Sequence, residues 1–195
     1  MLHKLLVVLL TAENIIWLLP IIRQRTGRYS YFFGYLTISG LVELIVQFTH
    51  TTKYINLVAV FFLVLITSCL YIPQQQRKLR ISFALLAAVL TILVLQFHSR
   101  QVEEVVAMIF CTIIAGLFLR RLIVETIVSY SFSIFTAVLL IYIMSMTIRL
   151  FFAITRTNIG TTYFVFSLAL EALCGLFFIV FNENNPRLHW EIKSD

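Results

Sequence analysis

A chain of 195 residues that is 61% hydrophobic and only 12% charged, with a mean hydropathy of +0.97, cannot be a soluble globular domain. Soluble domains carry about 25% charged residues and place their apolar ones in stripes, whereas here they come in long runs. The runs lack strand-like alternation, which excludes a β-barrel and leaves an all-α integral membrane bundle. The net charge of +6 sits in short connectors and not on one amphipathic surface, so no nucleic-acid partner is expected.

Seven apolar segments of spanning length follow in order: Leu2 to Ile22, Tyr31 to Thr49, Ile55 to Ile72, Ile81 to Phe97, Glu104 to Leu119, Ile127 to Ile154 and Thr161 to Phe181. The first resembles a signal peptide in its opening residues, but no small-x-small cleavage pattern follows, so it reads as a retained span. All connectors are short, which predicts antiparallel neighbours and one domain, residues 1–181, followed by a polar cytoplasmic tail, 182–195. Only Pro20 falls within a span, so broken helices are not expected to be a main feature.

Basic residues set the direction. Arg23, Arg25, Arg28, Arg77, Lys78, Arg80, Arg120, Arg121, Arg187 and Lys193 fall in alternate connectors and the tail, against Lys4, Lys53, Arg100 and Arg156 on the other side. By the positive-inside rule the N-terminus is outside and the C-terminus cytoplasmic.

The second segment carries the first chemical signal. Read as a helix, it places Ser39, Glu43, Gln47 and His50 along one side, with a carboxylate at mid-membrane depth. A charge there costs a few kcal/mol, so neighbouring helices must supply partners. Three other segments answer: Glu13, Trp17 and Pro20 share a face in the first, Tyr142, Ser145 and Arg149 in the sixth, and Tyr163, Ser167, Glu171 and Cys174 in the seventh. The candidate ligand or proton site is therefore Glu13, Glu43, Gln47, Tyr142, Arg149 and Glu171. Helical side chains lean toward their own N-terminus, which brings Arg149 and Glu171 from antiparallel helices toward one another as the expected ion pair. Three carboxyls against one guanidinium imply that at least one carboxyl holds a proton near neutral pH. The alternative for such residues is interhelical packing, worth about 0.6 to 2 kcal/mol each, and it suits the serines and tyrosines best.

His3, His50 and His98 fall near outer segment ends, close in depth to Glu103 and Glu104, and form a secondary candidate, an outer-face metal- or proton-sensing cluster; they lack metal-ligand spacing, and no metal or cofactor is expected. Cys69, Cys111 and Cys174 lie within spans and read as small apolar residues, not a disulfide framework. The seventh segment has no lysine for a retinal Schiff base, the only aspartate is Asp195, and no HExxH, P-loop or nucleophile-elbow motif occurs.

The stretches GYLTISGLVELI (Gly34 to Ile45) and LLIYIMSM (Leu139 to Met146), with the span count, resemble small heptahelical proteins of unknown function from Bacteroidota-type bacteria. That resemblance implies a role beside two-component signalling. The chain is accordingly expected to be a receptor-like sensor in the bilayer that passes a signal to a separate cytoplasmic protein, its stimulus a small ligand or a proton. A proton-coupled or solute transporter using the same carboxylates is the alternative. A lipid-modifying membrane enzyme would need a nucleophile and base pair that the sequence does not offer, and an enzyme is not the expected reading.

Overall fold

A computed structural model describes residues 2–25, 27, 29–49, 82, 85, 89, 100–157 and 160–191. Its elements are α1 (Leu2–Leu18), α2 (Pro20–Gln24), α3 (Ser30–Thr49), α4 (Arg100–Val128), β1 (Ser131–Ser133), α5 (Ile134–Thr155), α6 (Thr161–Val180), a 3-10 turn (Pro186–Leu188) and β2 (His189–Glu191). Among the described residues four helical stretches are long and apolar enough to cross a membrane: Val7–Gln24, Glu104–Val128, Ile134–Thr155 and Thr162–Val180. Phe32–Ile45 is a shorter apolar helix. This architecture is compatible with a multi-pass membrane protein. The expected segments 55–72 and 81–97 lie outside the described residues, except that Ser82, Leu85 and Val89 are helical.

Helix α1 packs against α3 on one side and α6 on the other, and α5 packs against α6 and α4. Two glycines set how closely α1 is held. A Cβ on Gly40 of α3 would stand 3.1 Å from the Asn14 carbonyl oxygen, and one on Gly175 of α6 would stand 2.6 Å from Ile16 Cγ2. Between apolar helices in lipid there is no hydrophobic drive to associate, so small residues that admit a neighbouring backbone carry much of the packing. The outward faces are apolar: Val8, Ile22, Phe48 and Phe166 are all more than 60% exposed.

The inside is divided along its length by aromatic rings. Phe33, Phe135 and Phe178 meet with centroids 5.0 to 6.2 Å apart. Phe32 and Tyr29 each meet Phe118 edge-on, which ties α3 to α4. Trp17 joins this layer through Phe178, and Tyr142 joins it through Phe32.

Pro20 does break the first span, contrary to the expectation. It lacks the N–H that the Ile16 carbonyl would accept, and α1 stops at Leu18. The Ile16 carbonyl accepts instead from the Leu19 N–H at 3.2 Å, and the Trp17 carbonyl from Thr37 Oγ1 at 3.3 Å. Beyond the break, buried Gln24 donates from Nε2 to the Phe178 and Phe181 carbonyls at 2.9 and 2.6 Å, satisfying the end of α6.

Two further boundaries differ from the sequence reading. Arg120 and Arg121 are not in a connector, because α4 continues to Val128, helped by the Arg121–Glu125 pair one turn apart at 2.7 Å. Its 29 residues span about 44 Å, more than the roughly 30 Å of a hydrocarbon core. The sixth segment begins at Ile134 and not at Ile127, because Ser133 caps α5 by accepting from the Thr136 N–H at 3.3 Å. Nor is the tail a free polar extension. Its strand β2 pairs antiparallel with β1, with Phe132 opposite Trp190, and Leu188 is buried. This short ribbon is the one departure from an all-helical chain among the described residues.

Candidate functional site

Helices α1, α3, α5 and α6 bring five of the six expected site residues together. Glu171, on the buried face of α6, has no exposed surface and meets Arg149 of α5 with Nη2 and Oε2 3.1 Å apart. Oε2 makes no well-angled hydrogen bond, so this side of the contact is chiefly charge pairing. The other oxygen, Oε1, accepts from Ser167 Oγ at 2.9 Å and Ser145 Oγ at 3.1 Å, and the two serine oxygens are 3.0 Å apart. Glu13 of α1 is buried, 6% exposed, and lines the adjoining cavity together with Arg149.

Next to this centre is a cavity of about 30 Å³ lined by Glu13, Asn14 and Trp17 of α1, Tyr35, Leu36, Ser39, Gly40 and Glu43 of α3, and Tyr142, Met146 and Arg149 of α5. Glu43 stands at its mouth, exposed on one side. Trp17 and Tyr142 form its floor, their ring centroids 4.4 Å apart. Two buried donors lack hydrogen-bond partners: Trp17 Nε1, and Asn14 Nδ2, which turns toward Glu43 without a well-formed bond. A carboxylate, a guanidinium and unpaired amide and indole donors around so small a volume can order water and move protons.

Gln47 is the expected site residue that stands apart. Its Nε2 donates to Thr11 Oγ1 at 2.8 Å, tying α3 to α1, and it does not line the cavity. His50 and His98 lie outside the described residues, as does the His3 side chain, and no three His, Cys, Asp or Glu side chains among the described residues could hold a metal ion. Cys111 and Cys174 are free and buried, and Cys69 lies outside the described residues.

Asn14, Tyr35, Ser145 and Ser167 belong to the centre although the sequence reading gave them no chemical role. Tyr35 continues the four-residue steps of Ser39 and Glu43, which was the available signal. The two serines share faces with Arg149 and Glu171, and the spacing alone fits packing equally well.

Across the aromatic layer, at the basic end of the bundle, a second cavity of about 230 Å³ is lined by Tyr29, Arg121, Glu125, Ser133, Phe135, Thr136, Glu183, Asn184 and His189. Arg121 lies over the Tyr29 ring, 4.8 Å from its centroid. Burial pushes the Tyr29 hydroxyl above its ordinary pKa, so it stays neutral beside Thr136 Oγ1 at 3.4 Å. Glu183 reaches back to accept from the Tyr29 N–H at 3.4 Å, passing over Gly27, where a Cβ would stand 2.8 Å from its Cδ. The tail thus closes one wall of this cavity.

Comparison with protein-family models, with curated proteins and with solved structures found no match to this chain.

Proposed function

We propose that this is a seven-helix protein of the bacterial inner membrane, N-terminus outside and C-terminus cytoplasmic. In this reading it is a receptor-like sensor whose stimulus acts on the Glu13–Glu171–Arg149 centre and whose signal passes to a separate cytoplasmic protein. The observation that carries it is the pairing of the Arg149–Glu171 centre with a layer of contacting aromatic rings beside it among the described residues. A transport pathway needs hydrated space on both sides of its site, and hydrophobic constrictions of this kind exclude water. The tail and the first basic loop, joined through Glu183, Asn182 and Gln24, offer the surface that a cytoplasmic partner would meet. The resemblance to heptahelical proteins near two-component genes points the same way.

The alternative, a proton-coupled or solute transporter, draws support from Pro20, which breaks the first span close to the site. Discontinuous helices beside a midplane site are a transporter device. Purified full-length protein in liposomes under an imposed pH gradient separates the two. The sensor reading expects no flux above that of empty vesicles. Flux that Glu43→Gln or Glu171→Gln abolishes would replace it with the transporter.

A further inference from the structure

We infer that the β1–β2 ribbon and the last turn of α4 anchor this end of the bundle in the headgroup layer of the bilayer, with Tyr130 and Trp190 at the boundary between headgroups and acyl chains. The inference rests on the multi-pass membrane reading and holds for a sensor and a transporter alike.

Length sets the depth. The 29 residues of α4 rise about 44 Å, which matches a bilayer with both headgroup layers, about 40 to 45 Å, and exceeds the roughly 30 Å of hydrocarbon alone. With Arg100 in one headgroup layer, Val128 ends in the other. Tyr130, at φ 46°, lies in the turn that follows, and β1 comes back against α4. Three strand residues rise about 10 Å, close to two turns of helix, so the ribbon stands beside the last two turns of α4 and not below them.

The two faces of the ribbon decide what it meets. Residues directly opposite one another in an antiparallel pair share a face, and successive residues alternate. Ser133 and His189 are one such pair, and both line the cavity at this end of the bundle. Phe132 and Trp190, the next pair, therefore turn away from that cavity, and Trp190 is 71% exposed. Glu191, opposite Ser131, falls on the other face. Ile127, Val128 and Tyr130 are also more than half exposed, so the outward side of this end is an apolar and aromatic patch.

Continuity names the occupant. Ile109, Ile113, Ile123 and Ile127 are exposed along one face of α4, so the patch is the lower end of the surface that this span turns to lipid. Arg120, exposed on the same face, can lay its stem on apolar surface and reach the phosphates with its guanidinium. Tryptophan and tyrosine concentrate at this depth, because the ring packs on acyl chains while the N–H or O–H meets ester and headgroup oxygens. The same side chains held in water would expose that area at a cost.

Trp17 and Trp190 are the two tryptophans of the chain, so the emission of the full-length protein minus that of its Trp190→Phe variant is that of Trp190. Both proteins are placed in phosphatidylcholine nanodiscs whose acyl chains carry bromine either near the ester or near the methyl end, with iodide as the aqueous quencher. Trp190 emission should fall most with bromine near the ester, fall less with bromine near the methyl end, and change little with iodide. Quenching by iodide without quenching by brominated lipid would overturn the inference and turn the ribbon toward a soluble partner. Emission untouched by either would overturn it in favour of a second copy of the chain as cover, and strongest quenching from the methyl end would overturn the assigned depth. Leu173→Trp in the Trp190→Phe background tests the membrane reading separately. Leu173 is exposed near the middle of α6, so its replacement should be quenched most by bromine near the methyl end. If it is and Trp190 is not quenched by lipid, the anchor fails and the multi-pass reading stands.

Discussion

Trp17 of α1 and Tyr142 of α5 meet with tilted rings, their centroids 4.4 Å apart, and serve two purposes, lining the polar cavity and joining the aromatic layer. Aromatic pairs contribute about 0.5 to 1.5 kcal/mol beyond the area they bury. Replacing Trp17 by Ala should destabilise the protein by about 3 to 5 kcal/mol and let water through the layer. Liposomes carrying this variant should leak protons where the wild type does not. A destabilised but proton-tight variant would show that the layer is not the barrier.

The Arg149–Glu171 pair predicts strong coupling. Removing one partner leaves a buried charge uncompensated, at a cost of about 3 to 5 kcal/mol, while replacing both by apolar residues of similar size is often close to neutral. Arg149→Leu should therefore be much less stable than the Arg149→Leu/Glu171→Leu double variant. Unfolding in mixed micelles measures both, and additive effects would mean the pair holds little energy in the folded state.

Gly175 and Gly40 give a graded prediction. A side chain at 175 meets Ile16 at 2.6 Å and forces α6 from α1, whereas at 40 the approach is 3.1 Å to a carbonyl oxygen. Gly175→Val should cost about 1 to 3 kcal/mol as overpacking and exceed Gly40→Ala, as read from thermal unfolding in detergent.

The ribbon predicts a protease phenotype. Leu188 is 5% exposed, and its burial holds the tail against the β1 segment. Leu188→Asp should release residues after Phe181 to rapid limited proteolysis while the helical circular dichroism is unchanged. Equal cleavage of both proteins would show that the pairing contributes no protection.

The centre could be read from the sequence where its signal is local to a helix. Arg149 and Glu171 each lie on a polar face, and the lean of helical side chains makes antiparallel neighbours converge, so the ion pair follows from spacing and direction. Gln47 shares its face with Glu43 but lies one turn further on, where the nearest polar group is Thr11; distance along the helix separated them. The end of α4 misled because paired arginines mark loops in membrane chains, although Glu125, four residues after Arg121, signalled that the helix continues. The Ser-Phe-Ser alternation of β1 is too short to mark a strand, and its partner lies some sixty residues away in the tail. Pairing at that separation leaves no trace in local periodicity.

Glu13 precedes Glu171 by most of the described chain, so the two can share one centre only after α6 has emerged from the ribosome. Until then the early carboxyl waits in the translocon or bilayer beside helices that offer it no final mate. A chain interrupted before Glu171 is therefore incomplete in charge as well as in length, which gives membrane quality control a physical feature by which to recognise it.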